Sequence, residues 1–187
     1  PGESAYRCVS CDSDFLRRQR LYYFVSKGAM NIDGVGPRII DALIDAGLVS
    51  TAADLFDLTA DDFLTLPGFK QKAAANAIAA IAVARTVPFS RFLVALSIDH
   101  VGEETARLLA THFPTLGSLR AATEEGLAAI DGIGPIIAAG VAAWCRNEGV
   151  QHEVDRLLEY IVLETTSSSR GGSLAGKTFV FTGTLAT

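Results

Sequence analysis

Four short turns recur along the chain, and their spacing limits what it can fold into more than any feature of its composition. Met30-Asn31-Ile32-Asp33-Gly34-Val35-Gly36-Pro37-Arg38 and Ile130-Asp131-Gly132-Ile133-Gly134-Pro135 each set an apolar residue and two glycines, two apart, ahead of a proline. An alanine- and isoleucine-rich helical pattern follows both. Leu66-Pro67-Gly68-Phe69-Lys70 keeps the first glycine and has lysine at the second position, whereas Ile98-Asp99-His100-Val101-Gly102 has histidine at the first and keeps the second. The second positions fall at 36, 70, 102 and 134, in steps of 34, 32 and 32. A fixed period of this size marks a repeat architecture. Glycine lets a backbone take positive φ and lie close to another surface, and proline suits the first position of a helix. The free N–H groups of such a helix start, at the positive end of the dipole, suit an anion, phosphate above all.

The segments between the turns repeat as well. Asp54 to Phe63 aligns with Ser118 to Leu127 at an offset of 64, so the turns pair into two modules of two hairpins each. Thr59 and Thr123 are predicted N-caps, followed by Asp61, Asp62 and Glu124, Glu125 in the first helical turn, where acids complement the dipole. Helices are expected over Phe15 to Ala29, Lys70 to Arg85, Phe89 to Leu96, Glu103 to Phe113, Pro135 to Arg146 and Gln151 to Tyr160, with Gly47 closing a further one as a C-cap. His100 and His112 fall at a turn and a helix end. Arg17, Arg18 and Arg20 form a basic face that reads equally well as solvated or as touching phosphate.

Of the 187 residues, 49% are hydrophobic and 20% charged, enough for a packed core and against general disorder. A net charge of −5 excludes a wholly basic nucleic-acid binder. Contact with a polyanion must therefore rest on a local face and on oriented backbone amides. Three cysteines are too few for a disulfide framework. With no secretory pattern read in the sequence, a cytoplasmic, nucleoid-associated protein is expected.

Cys8 and Cys11 form a CxxC pair. Two thiolates at that spacing are half of a tetrahedral zinc site, whose other pair is expected upstream; a redox pair and two free thiols are the alternatives. At Glu164 the composition turns to that of a serine- and glycine-rich linker. After it, Lys177-Thr178-Phe179-Val180-Phe181-Thr182-Gly183-Thr184-Leu185 reads as a single β-type run, which cannot be stable alone. The expectation is a fragment of a longer protein.

The paired turns resemble the helix-hairpin-helix family, whose modules grip the DNA backbone without reading sequence. The order of a cysteine pair, four hairpins, a linker and a Thr-Gly strand resembles the C-terminal part of bacterial NAD-dependent DNA ligases. That resemblance implies an all-α fold of four tandem hairpins in two paired modules over 21–163. It also implies the second half of a zinc finger over 1–20, a linker over 164–173 and the start of a BRCT domain over 174–187. The parent would seal nicks during replication and repair through enzyme-AMP and DNA-adenylate, using NAD and magnesium that are not bound here. The family's nucleotidyl-transfer lysine stands in a KxDG motif, which none of Lys27, Lys70, Lys72 and Lys177 matches, so no catalytic residue is expected and the fragment alone should be inactive. Cys8 and Cys11 would hold structural zinc. Duplex DNA, nicked in the parent's substrate, would meet Gly34, Gly36 and Arg38; Gly68, Lys70 and Lys72; Val101 and Gly102; Gly132 and Gly134. The expected partners are DNA and the catalytic domains of the same chain, in a monomer without membrane contact. Two rival readings stand beside this one: a helical adaptor that binds protein, and the DNA-binding tail of a different repair enzyme.

Overall fold

The computed structural model describes residues 14–164. The first half runs through α1 (Asp14–Val25), α2 (Pro37–Asp45), a 3-10 helix (Ala53–Phe56), α3 (Ala60–Leu64) and α4 (Gln71–Ala84). The second holds α5 (Phe89–Ala95), α6 (Glu103–His112), α7 (Leu116–Arg120), α8 (Glu124–Ala128), α9 (Pro135–Arg146) and α10 (Glu148–Leu158). The 3-10 helix and α3 recur as α7 and α8, as the 64-residue offset predicts. The four hairpins are α1–α2, α3–α4, α5–α6 and α8–α9.

Local chemistry sets the boundaries. Thr59 accepts from the Asp62 N–H while the Asp62 carboxylate accepts from the Thr59 N–H at 2.8 Å, a reciprocal capping box. Thr123 accepts from the Gly126 N–H at 3.1 Å. Gly47, at φ 70°, ends α2. Its N–H reaches Ile44 O and that of Leu48 reaches Leu43 O, both at 2.9 Å, which is the Schellman pairing. Two helices differ from expectation by more than a residue: α10 starts at Glu148 and ends at Leu158 rather than spanning Gln151 to Tyr160, and α1 ends early. α1 stops at Val25, and Ser26 to Met30 continues the apolar stripe as turns, with the Met30 N–H on Phe24 O at 3.0 Å.

A continuous core joins the halves, with Phe63, Phe89 and Phe92 fully buried. Phe24 meets Phe56 edge-on at 6.4 Å between ring centroids, and Phe56 stacks on Tyr160 at 5.9 Å. Polar ties reinforce it. Arg91 donates through Nε to Ala29 O and through Nη2 to Lys27 O, each at 2.5 Å. Arg156 holds Asp54 at 2.7 Å, and the Tyr160 hydroxyl donates to Asp57 at 2.8 Å. The all-α expectation also gains a small sheet. β1 (Thr86–Pro88), the connection between the halves, pairs in parallel with β2 (Val162–Glu164), Thr86 opposite Val162 and Pro88 opposite Glu164.

Candidate nucleic-acid interface

The four hairpin turns share one geometry. In each, the N–H of the fourth residue reaches the carbonyl of the first: Val35 to Ile32 at 3.3 Å, Phe69 to Leu66 at 3.2 Å, Val101 to Ile98 and Ile133 to Ile130 at 3.0 Å. The third residue is always left-handed, with φ 78° at Gly34, 81° at Gly68, 64° at His100 and 88° at Gly132. A turn of this type needs positive φ there, which is why three of the four are glycine. His100 takes the same conformation with a side chain attached.

The second glycine has a different basis from the first. Gly36 (φ −91°), Lys70 (−122°), Gly102 (−92°) and Gly134 (−76°) are all extended N-cap residues, a conformation open to any amino acid. A Cβ built at Gly36, Gly102 or Gly134 would meet nothing within 4 Å. The fold itself therefore does not require glycine there, and Lys70 shows that the position accepts a side chain. A glycine without an internal reason leaves the backbone open to close approach from outside.

The helix starts carry the same message. Thr59, Thr115, Thr123 and Asn147 cap α3, α7, α8 and α10 with their side chains, whereas α2, α4, α6 and α9, the four helices that follow hairpins, have no side-chain cap. Besides these four, α5, which starts after Pro88, also lacks one. An uncapped helix start keeps its first N–H groups available to an external acceptor.

Each hairpin gathers its own turn residue, open N-cap and helix start, but the four differ in charge. Arg38 in α2, Lys70 at the α4 N-cap and Lys72 in α4 are exposed and form no ion pair among the described residues. The third hairpin starts its helix on Glu103 and Glu104, and Glu104 is paired with Arg107 at 2.6 Å. The fourth starts on Pro135 and Ile136, with no charge. Val101 is buried and gives its N–H to Ile98 within the turn.

The arginines of α1 divide in a way that the sequence does not reveal. Arg18 holds Asp14, Asp41 and Asp45 at 2.7–2.8 Å. The hydrogen bonds it donates to the carboxylates of Asp14, Asp45 and Asp41 raise its pKa further, and it is committed to the fold. Arg17 pairs with Asp14. The Asp41 carboxyl is held below its ordinary range by the Tyr22 hydroxyl and by Arg18. Arg20 and Lys27, exposed and outside every ion pair among the described residues, are the free cations of this region. Only knowledge of which carboxylates lie opposite could have separated Arg20 from Arg18.

Among the described residues no group of histidine, cysteine and acidic side chains is arranged to hold a metal, and no helix is long and apolar enough to cross a membrane. Cys8 and Cys11 lie outside the described residues.

Turn, open N-cap and paired modules define a tandem helix-hairpin-helix fold. A model described as a SAM-like helix-hairpin-helix tandem matches residues 27–82, and a helix-hairpin-helix motif model matches 91–154. At the level of particular proteins, the chain is homologous along nearly its whole length to a segment of DNA ligases. It is 41% identical to the DNA ligase of Geobacter metallireducens over 186 residues, 99% of this chain and 28% of the relative. Identity is 42% to the Roseiflexus enzyme, over 98% of the chain and 26% of the relative. It is 43% to that of Trichlorobacter lovleyi, over 100% and 28%. The chain thus spans little more than a quarter of the length of these relatives.

Proposed function

We propose that this chain is the duplex-gripping part of an NAD-dependent DNA ligase, and that it holds DNA through backbone phosphates without reading sequence. The observation that carries this is the row of four uncapped helix starts behind identical turns, three of them opened by glycines that the fold does not need. The phosphate ligands would be the open amides at Gly36, Gly102 and Gly134 and the unpaired side chains of Arg38, Lys70 and Lys72. Gly34, Gly68 and Gly132 would set the turns that aim them. With few side chains placed to read base edges, affinity should come from phosphates and sugars, along the minor groove. In the whole enzyme the duplex would be nicked, the lysine that takes AMP would belong to other domains of a monomer, and NAD and magnesium would bind there. The setting would be replication and repair in the cytoplasm, at the nucleoid.

The test is a titration of unrelated duplexes with this chain at several salt concentrations. Binding should be equal across sequences, and each phosphate neutralised by a cation should add about −0.9 to the slope of log affinity against log salt. A flat salt response would favour the adaptor reading, and strong preference for one sequence would contradict the phosphate reading. Cys8 and Cys11 would supply two thiolates of a zinc site that takes four, the other two from the longer protein. The chain alone should therefore lose zinc on dialysis, and stoichiometric retention measured by atomic emission would refute that assignment.

A further inference from the structure

The second helical residue behind each hairpin falls in register, and the four copies read Arg38, Lys72, Glu104 and Ile136. Two are cations, and the third is paired within its own helix. The fourth is an aliphatic side chain at 71% exposure, while its neighbour Ile137 packs against the core. Among the described residues Ile136 is not one of the side chains packed against the core. Ahead of it, Pro135 adds no side-chain cap, and the space beside the Gly134 Cα is open. A duplex surface can therefore approach this helix start as closely as it can approach the first.

A DNA strand alternates two chemistries, anionic phosphate and the C–H edges of deoxyribose, and the sugars wall the minor groove. A cation at the register position suits the first, and a branched aliphatic suits the second. We propose that Ile136 packs on the deoxyribose wall of the minor groove beside the fourth hairpin. The first module then holds the duplex by charge, and the second holds it by shape and van der Waals contact. This rests on the reading of the chain as a duplex binder.

The two readings separate in one set of titrations with the full chain and a labelled duplex of mixed sequence. Ile136→Ser should weaken binding about three- to tenfold at every salt concentration, the loss expected for uncovering about half of one aliphatic side chain. Its salt slope should stay unchanged, because no counterion is released at an apolar contact. Lys72→Ala should instead flatten the slope by about 0.9. Ile136→Lys, which restores the cation of the first two copies, should steepen it by about 0.9. Wild-type affinity in Ile136→Ser, or an unchanged slope in Ile136→Lys, would place the residue off the DNA and overturn the inference while the duplex reading stands. Absence of any salt-dependent binding by the wild type would remove both. At 71% exposure, Ile136 can be replaced without loss of core packing, so melting curves of both variants should overlay that of the wild type.

Discussion

At the residue scale, the α5–α6 hairpin carries most of the backbone strain. Ser97 at φ 51° and His100 at φ 64° are both left-handed without being glycine, and Asn31 at φ 55° is the other such residue among those described. Left-handed backbone costs a residue with a Cβ about 1–2 kcal/mol, part of which glycine gives back through its freer unfolded chain. Ser97→Gly and His100→Gly should each raise stability by about 0.5–1 kcal/mol. Urea midpoints will show it, and unchanged or lower midpoints would mean that side-chain contacts offset the strain. The turn positions were legible in the sequence because positive φ selects glycine, and His100 was placed by register alone. The second glycines were legible as a pattern, but the expectation of positive φ did not cover them, since they are extended and only their emptiness matters. Val101 could not be judged without knowing which way its side chain points.

At the element scale, capping chemistry was readable where a threonine precedes acids, as at Thr59 and Thr123. It was missed at Thr115 and Asn147, where the helices that follow are short or start on glutamate and glycine. The end of α1 was also beyond periodicity, because a buried stripe looks alike whether the last turn is helical or formed by the loop at Ser26. Lys70 is the N-cap of α4 rather than a residue of its first turn. Lys70→Asp gives that helix the side-chain acceptor it lacks and should stabilise the fold by about 0.5–1 kcal/mol. The same change sets a carboxylate at the proposed phosphate position, so DNA affinity should fall. A higher melting temperature combined with weaker binding is an outcome that general damage does not produce. Unchanged affinity in a sound fold would take Lys70 out of the interface.

At the scale of the molecule, the closing contacts were the least legible, because three-residue strands 76 positions apart leave no alternating pattern to read. Nor does any motif announce that Arg156 meets Asp54. Burial raises the Asp54 pKa, but the N–H groups of Ser50 and Thr51, with Arg156, outweigh it and hold the carboxyl below its ordinary value. A lowered folded pKa means that the contribution is complete above the ordinary carboxylate pKa of about 4 and is lost as pH falls through the lowered value. Asp54→Asn should cost about 1.5–3 kcal/mol at neutral pH. Urea unfolding should show the gap from wild type narrowing in acid, and a gap that persists there would assign the loss to packing. The parallel pair that ends the described chain has a mechanical side. The Val162 N–H sits 2.7 Å from Arg85 O, so β2 is tied to the seam between the modules. Tension arriving along β2 is therefore delivered to the joint of the two modules, and a tug from that side would be felt by both at once.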